Sequence, residues 1–149
     1  MAWLLDTNIL GRLANSDDPF HLLTVSAIVS LHRKGEVLHI TPQVLIEFRC
    51  FSSRPVEVNG LGLTAYASKI KADLFELSFP LIAESPDIFE AWKSLVEVAG
   101  TIGKQVHDAR LLAVCGVHGI THLLTFNVKH FEQLAKFMPE VKIVDPRTL

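Results

Sequence analysis

A chain of 149 residues holds one hydrophobic core comfortably and two with difficulty, so one domain over residues 1–149 is expected. With 49% hydrophobic and 20% charged residues the chain is too apolar to be disordered, and a formal net charge of −2 with a pI near 6.4 excludes a strongly basic protein that coats nucleic acid. No apolar run approaches the ~20 residues that cross a bilayer, no signal-peptide pattern stands at the start, and two cysteines, Cys50 and Cys115, form no disulfide framework; a cytoplasmic protein that avoids membranes is expected.

Trp3, Leu4 and Leu5 read as a short buried strand that stops at Asp6. Residues 8–14 are helix-compatible, and the stretch 15–19 punctuates the chain, with Asp18 as an N-cap and Pro19 at the first position of a helix reaching about Lys34. Gly35 ends that helix, residues 37–40 form a second strand, and Thr41-Pro42 opens a helix whose apolar stripe is Val44, Leu45, Phe48 and Phe51. Residues 52–63 hold Pro55, Asn59, Gly60 and Gly62 and read as a loop. A helix over 64–77 follows, with Tyr66, Ile70, Leu74 and Leu77 on its apolar side. Residues 79–83 are a strand candidate weakened by Pro80.

Ser85-Pro86-Asp87 caps a further helix through Phe89, Trp92, Leu95 and Val96 to Gly100, and an Ala-, Leu- and Val-rich helix runs from Gly103-Lys104 to Gly119. A strand over 122–126, a helix over 128–137 and a strand over 141–144 complete the chain. Strands alternating with helices predict a mostly parallel sheet covered by helices on both faces, with the span 63–100 as a helical insertion.

Four polar residues stand out against this pattern. Asp6 lies just past the first strand, where an open α/β sheet binds its ligands, although capping the next helix would place it there too. Glu47 sits on or beside the apolar stripe of its helix, where a carboxylate is expensive unless it meets a partner, a metal or solvent. Asp108 opens an otherwise apolar helix, a position that the helix dipole also favours. Thr125 and Asn127 leave the strand over 122–126 much as Asp6 leaves the first, and Asn127 too could be a cap.

If those two strands are neighbours, Asp6, Glu47, Asp108 and Asn127 converge. Three carboxylates at short range raise one another's pKa unless a cation offsets them. Oxygen ligands without a thiolate select a hard ion, Mg2+ or Mn2+, which suits metal-assisted phosphodiester hydrolysis.

Asp6-Thr7-Asn8 after the first strand, Glu47 within Thr41-Pro42-Gln43-Val44-Leu45-Ile46-Glu47-Phe48, Val106-His107-Asp108-Ala109, and Leu124-Thr125-Phe126-Asn127-Val128-Lys129-His130-Phe131 resemble, in this order, the motifs of the PIN-domain ribonucleases. The resemblance spans nearly the whole chain and is strongest to the VapC toxins of bacterial toxin–antitoxin pairs. It implies a three-layer α/β/α sandwich with a central, mostly parallel sheet, an Mg2+- or Mn2+-dependent endoribonuclease acting on RNA, a homodimer, and inhibition by a small antitoxin protein. By resemblance Asp6, Glu47 and Asp108 are the metal ligands, Asn127 completes the catalytic set, and Asn8 and Thr125 are polar supports. The fourth motif often carries Asp where this chain has Asn127, which adds no charge and weakens the case for a second tightly held ion.

The remaining polar residues suggest less. Cys115, His118 and His122 have zinc-like spacings, but Gly119 interrupts them and no fourth ligand follows. His107 could touch substrate or simply face water; Lys104, Arg110 and Lys129 could contact an RNA backbone or be ordinary surface cations. Neither a Walker loop nor a GxGxxG fingerprint is present, and Asn8 stands where a haloacid dehalogenase phosphatase needs Asp. A PIN-like RNA- or protein-binding module with little or no catalysis is the alternative function, and a phosphomonoesterase a third.

Overall fold

The computed structural model describes residues 1–149. Its elements are β1 (Ala2–Leu5), α1 (Thr7–Ala14), α2 (His21–Arg33), β2 (Val37–His39), α3 (Pro42–Ser53), α4 (Ala65–Ser78), α5 (Pro86–Ala99), α6 (Gln105–His118), β3 (His122–Leu124), α7 (Val128–Ala135) and β4 (Lys142–Val144), with 3-10 turns at Val56–Val58 and Pro146–Thr148. The four strands form one sheet in the order β2-β1-β3-β4, and every pair is parallel, so the mostly parallel sheet of the sequence reading is parallel throughout. Trp3 stands opposite Leu38 on one side and His122 on the other, and His122 stands opposite Lys142.

The layers follow from strand order. β1 connects outward to β2 and β3 connects outward the other way to β4, so the usual right-handed crossovers put α1 and α2 on one face and α7 on the other. The result is an α/β/α sandwich. Inner strands covered on both faces need continuous apolar runs, and Trp3, Leu4, Leu5, Leu123 and Leu124 are all buried; the edge strands carry exposed Val37 and Lys142. At the amino end of the sheet the N-terminal amine and the Trp3 indole N–H both meet Glu36, at 2.8 and 3.0 Å, and His122 stacks on Trp3.

Four expectations are corrected here. Residues 79–83 form no strand: a single bridge joins Leu81 to Ile40 beyond the end of β2. Pro80 has no N–H to donate, so the segment makes only two ladder bonds: the Pro80 carbonyl accepts from Ile40 N, and Ile82 N donates to the Ile40 carbonyl. Asp18 does not cap α2, which begins at His21; its Oδ1 instead accepts from Phe20 N and from Arg12, both at 2.8 Å, closing a turn ahead of the helix. Likewise the Ser85 hydroxyl makes no capping bond at α5, which starts at Pro86.

The fourth correction concerns α4. Tyr66, Ile70, Leu74 and Leu77 face solvent, with Tyr66 73% and Leu77 85% exposed. The buried face is Ser68 and Ala72, continued by Phe75, which meets Phe48 edge-on at 5.1 Å; Ser68 also bonds Ser52 of α3 at 2.7 Å. The helix thus has two apolar stripes, and packing against α3 selects the one with small residues. The span between residues 63 and 100 holds α4 and α5 and no strand. No helix is long and apolar enough to cross a membrane.

Candidate active site

The connections of β1 and β3 diverge between these two neighbouring strands, which is the crevice where an open parallel sheet binds ligands. Both strands end there in polar residues. Asp6 follows β1, its N–H donating to the Leu124 carbonyl; Thr125 follows β3, its N–H donating to Val144. Asp6 caps α1 and is 5% exposed. Its Oδ1 accepts from Thr7 N at 2.7 Å, and its Oδ2 from Asn8 Nδ2 at 2.8 Å and Thr125 Oγ1 at 2.7 Å.

Asn8 and Thr125 complete a closed lattice around that carboxylate. The Thr125 hydroxyl donates to Asp6 and accepts from Asn8 Nδ2 at 3.1 Å and Asn127 N at 2.9 Å, while Asn8 Oδ1 accepts from Phe126 N at 3.2 Å. Fully paired buried networks of this kind fix one geometry.

Glu47 approaches from α3. Its Oε2 accepts from Thr7 Oγ1 at 2.7 Å and its Oε1 from Gln43 Nε2 at 2.9 Å. This reach depends on a close crossing of α1 and α3 at Gly11, where a Cβ would stand 2.9 Å from the Phe51 ring. Asp108 lies half-buried in the first turn of α6, with its Oδ2 3.9 Å from His130 Nδ1. Asn127 heads α7 but its side chain makes no capping bond, so the amide is not spent on the helix end.

Asp6, Asn8, Glu47, Asp108 and Asn127 all line one cleft of about 1310 Å3, which also takes in Lys104, His107 and Arg110. The Asp6 carboxyl is raised to about 6: burial is the largest cause, the bonds from Thr125 and Thr7 oppose it, and Asp108 and Glu47 add to it. Burial also raises Asp108, Glu47 adds to that, and His130 and His107 oppose it. The carboxylates therefore sense one another across the cleft. They do not form a ready-made metal centre: no three His, Cys, Asp or Glu side chains stand close enough together to hold an ion.

Other candidates separate. Lys129 lies outside the cleft lining, and Arg110 is tied to Glu84 and Gln43. Cys115 is fully buried among the helices with its thiol pushed up to about 12, His118 is exposed and His122 is stacked on Trp3, so these three make no zinc cluster. Sequence reasoning missed Thr7, Gln43 and Arg12, all in the cleft. Gln43 was detectable, four residues before Glu47 on the same helix face. Arg12, set between Phe20 and Phe126 with its guanidinium 4.3 Å from the Phe126 centroid, has no local signal.

The chain belongs to the PIN-domain family, whose model matches residues 3–137. Its fold is similar to that of several solved toxin–antitoxin proteins. Rickettsia felis VapBC2, solved bound to a DNA fragment from their promoter, superposes with a TM-score of 0.70 at 20% identity over 97% of this chain and 98% of that one. VapBC-1 of nontypeable Haemophilus influenzae gives 0.68 at 16% identity over 99% of both chains. Mycobacterium tuberculosis VapC20, a Sarcin-Ricin loop cleaving toxin, gives 0.59 at 22% identity over 81% of this chain and 86% of that one. No curated protein matches by sequence.

Proposed function

We propose that the chain is a single-domain, Mg2+- or Mn2+-dependent endoribonuclease, the toxin of a toxin–antitoxin pair, working in the cytoplasm. The observation that carries this reading is that Asp6, Glu47, Asp108 and Asn127 all line one cleft at the switch point of the sheet, with the Asp6 carboxyl raised to about 6 chiefly by burial and in smaller part by the other two acids. An all-oxygen set of mutually repelling carboxylates suits a hard divalent cation, which would supply charge against the phosphodiester and activate a water. Asp6, Glu47 and Asp108 would hold it, with Asn127 reaching it by its carbonyl or through water.

The chain's own groups do the rest. Thr125, Asn8 and the Thr7 N–H fix Asp6; Thr7 Oγ1 fixes Glu47. Arg54 and Lys104 line the cleft without an acidic partner, and such cations position a nucleic-acid backbone by its phosphates.

Partners follow the same reading. Solved relatives are VapBC complexes, which supports a small antitoxin for this chain. The exposed stripe Tyr66, Ile70, Leu74 and Leu77 supports a homodimer through α4, since contiguous exposed apolar surface marks an interface.

Incubating purified protein with RNA tests the reading: cleavage that needs Mg2+ or Mn2+ and is lost in Asp6→Asn is expected. A second reading, a PIN-like binding module with weak or no catalysis, draws on the internal pairing of Asp6 and Glu47 and the lack of a preformed three-ligand cluster. RNA binding without metal-dependent turnover would favour it.

A further inference from the structure

Of the three acids, Asp6 is held by three donors and Glu47 by two, but Asp108 has only His130, at 3.9 Å. The placement of Asp108 therefore rests on the first turn of α6, which begins without a side-chain cap. One side chain reaches both that turn and Glu47. Gln43 Nε2 donates to Glu47 Oε1 and to the His107 carbonyl, each at 2.9 Å, and Gln43 Oε1 accepts from Arg110 Nη1 at 3.3 Å. Arg110 is anchored in turn by Glu84 at 2.5 Å.

The amide can adopt only one orientation here. Its NH2 faces two acceptors and its oxygen faces a guanidinium donor; flipped, oxygen would meet oxygen and NH2 would meet N–H. Both amide hydrogens are used, one toward the α3 acid and one toward the carbonyl next to the α6 acid.

We infer that Gln43 is a positioning residue that sets the spacing of Glu47 and Asp108 across the cleft, with Arg110 and Glu84 as its anchor. The inference rests on reading Asp6, Glu47 and Asp108 as cation ligands. A carboxylate oxygen accepts more than one bond, so Glu47 Oε1 can keep Gln43 and still face an ion. Supports of this kind, behind the ligands, typically change metal affinity or activity by ~10–100-fold when removed. A merely structural brace between α3 and α6 would change melting temperature and leave metal affinity alone.

The test is Mn2+ titration by calorimetry, without RNA, of the parent and of Gln43→Met, Arg110→Met, Glu47→Ala and the Gln43→Met/Glu47→Ala double variant. Methionine keeps the length and helix propensity of Gln43 and removes all three bonds. Gln43→Met is expected to weaken Mn2+ binding ~10–100-fold, Arg110→Met to weaken it less, and the Gln43→Met effect to shrink once Glu47 is absent. With RNA, Gln43→Met is expected to lower kcat at subsaturating Mn2+ with KM for RNA near the parent value. Unchanged or tighter Mn2+ binding in folded Gln43→Met, or effects that simply add in the double variant, overturn the inference and leave the nuclease reading standing. A parent chain that takes up no Mn2+ overturns both.

Discussion

Asp6→Asn separates the stability of this fold from its activity. Moving the Asp6 carboxyl from 3.8 to about 6 corresponds to about 3 kcal/mol against the ionised form in the folded state. The folded chain holds this proton more tightly than the unfolded chain, so the stability it contributes is fully present below about pH 4 and is lost as pH rises through about 6. Asparagine is neutral throughout and escapes that loss. Its NH2, however, replaces one of the two accepting oxygens and faces a donor, either Thr7 N or the Asn8–Thr125 pair, at a cost of about 1–2 kcal/mol. The variant is therefore expected to be more stable than the parent by about 1–2 kcal/mol at pH 7.5, or ~2–8 °C in Tm, and less stable at pH 4. Thermal and urea denaturation in EDTA at the two pH values measures this. A difference between variant and parent that is the same at both pH values refutes the argument from burial.

Three further outcomes follow from the packing. Thr125→Val leaves Asn127 N without its acceptor, takes one of three donors from Asp6 and leaves Asn8 Nδ2 with Asp6 alone; a loss of about 2–3 kcal/mol is expected by urea denaturation, with the Asp6 carboxyl titrating above about 6 by NMR. Gly11→Ala drives a methyl into the Phe51 ring, so about 1–3 kcal/mol should be lost, and recovered in part by Phe51→Leu; equal melting of parent and Gly11→Ala would contradict the close crossing of α1 and α3. Leu74→Glu with Leu77→Glu changes side chains that face solvent and should leave Tm within about 1–2 °C of the parent while converting a dimer to a monomer by light scattering. A dimer that survives both changes places the interface elsewhere.

The parallel sheet and its helical layers were legible because buried inner strands and capped helices write local patterns: Trp3 to Leu5, Thr41-Pro42, and Gly100 and Gly119 in the left-handed region at the ends of α5 and α6. The polar residues that meet in the cleft were legible for a related reason. Each lies where a strand ends or where a helix should be apolar, and the family order of motifs joined them. What failed was choice between equivalent local patterns. The two stripes of α4 have the same helical spacing, and only the small residues packing on α3 decide which is buried. Asp18 ahead of Pro19 looks like a cap, but Arg12 draws it into a turn. Thr7 and Gln43 acquire meaning only when folding brings Glu47 to them, across 40 residues in the case of Thr7.

The central claim is that the acids of this cleft hold a divalent cation for cleavage of RNA. Its most direct test is the purified chain with a panel of RNAs, in Mn2+ and in excess EDTA, beside Asp6→Asn and Asp108→Asn. Defined internal cleavage by the parent in Mn2+ only, and none by either variant, is expected. Undiminished cleavage in EDTA, or a fully active Asp6→Asn, would contradict it.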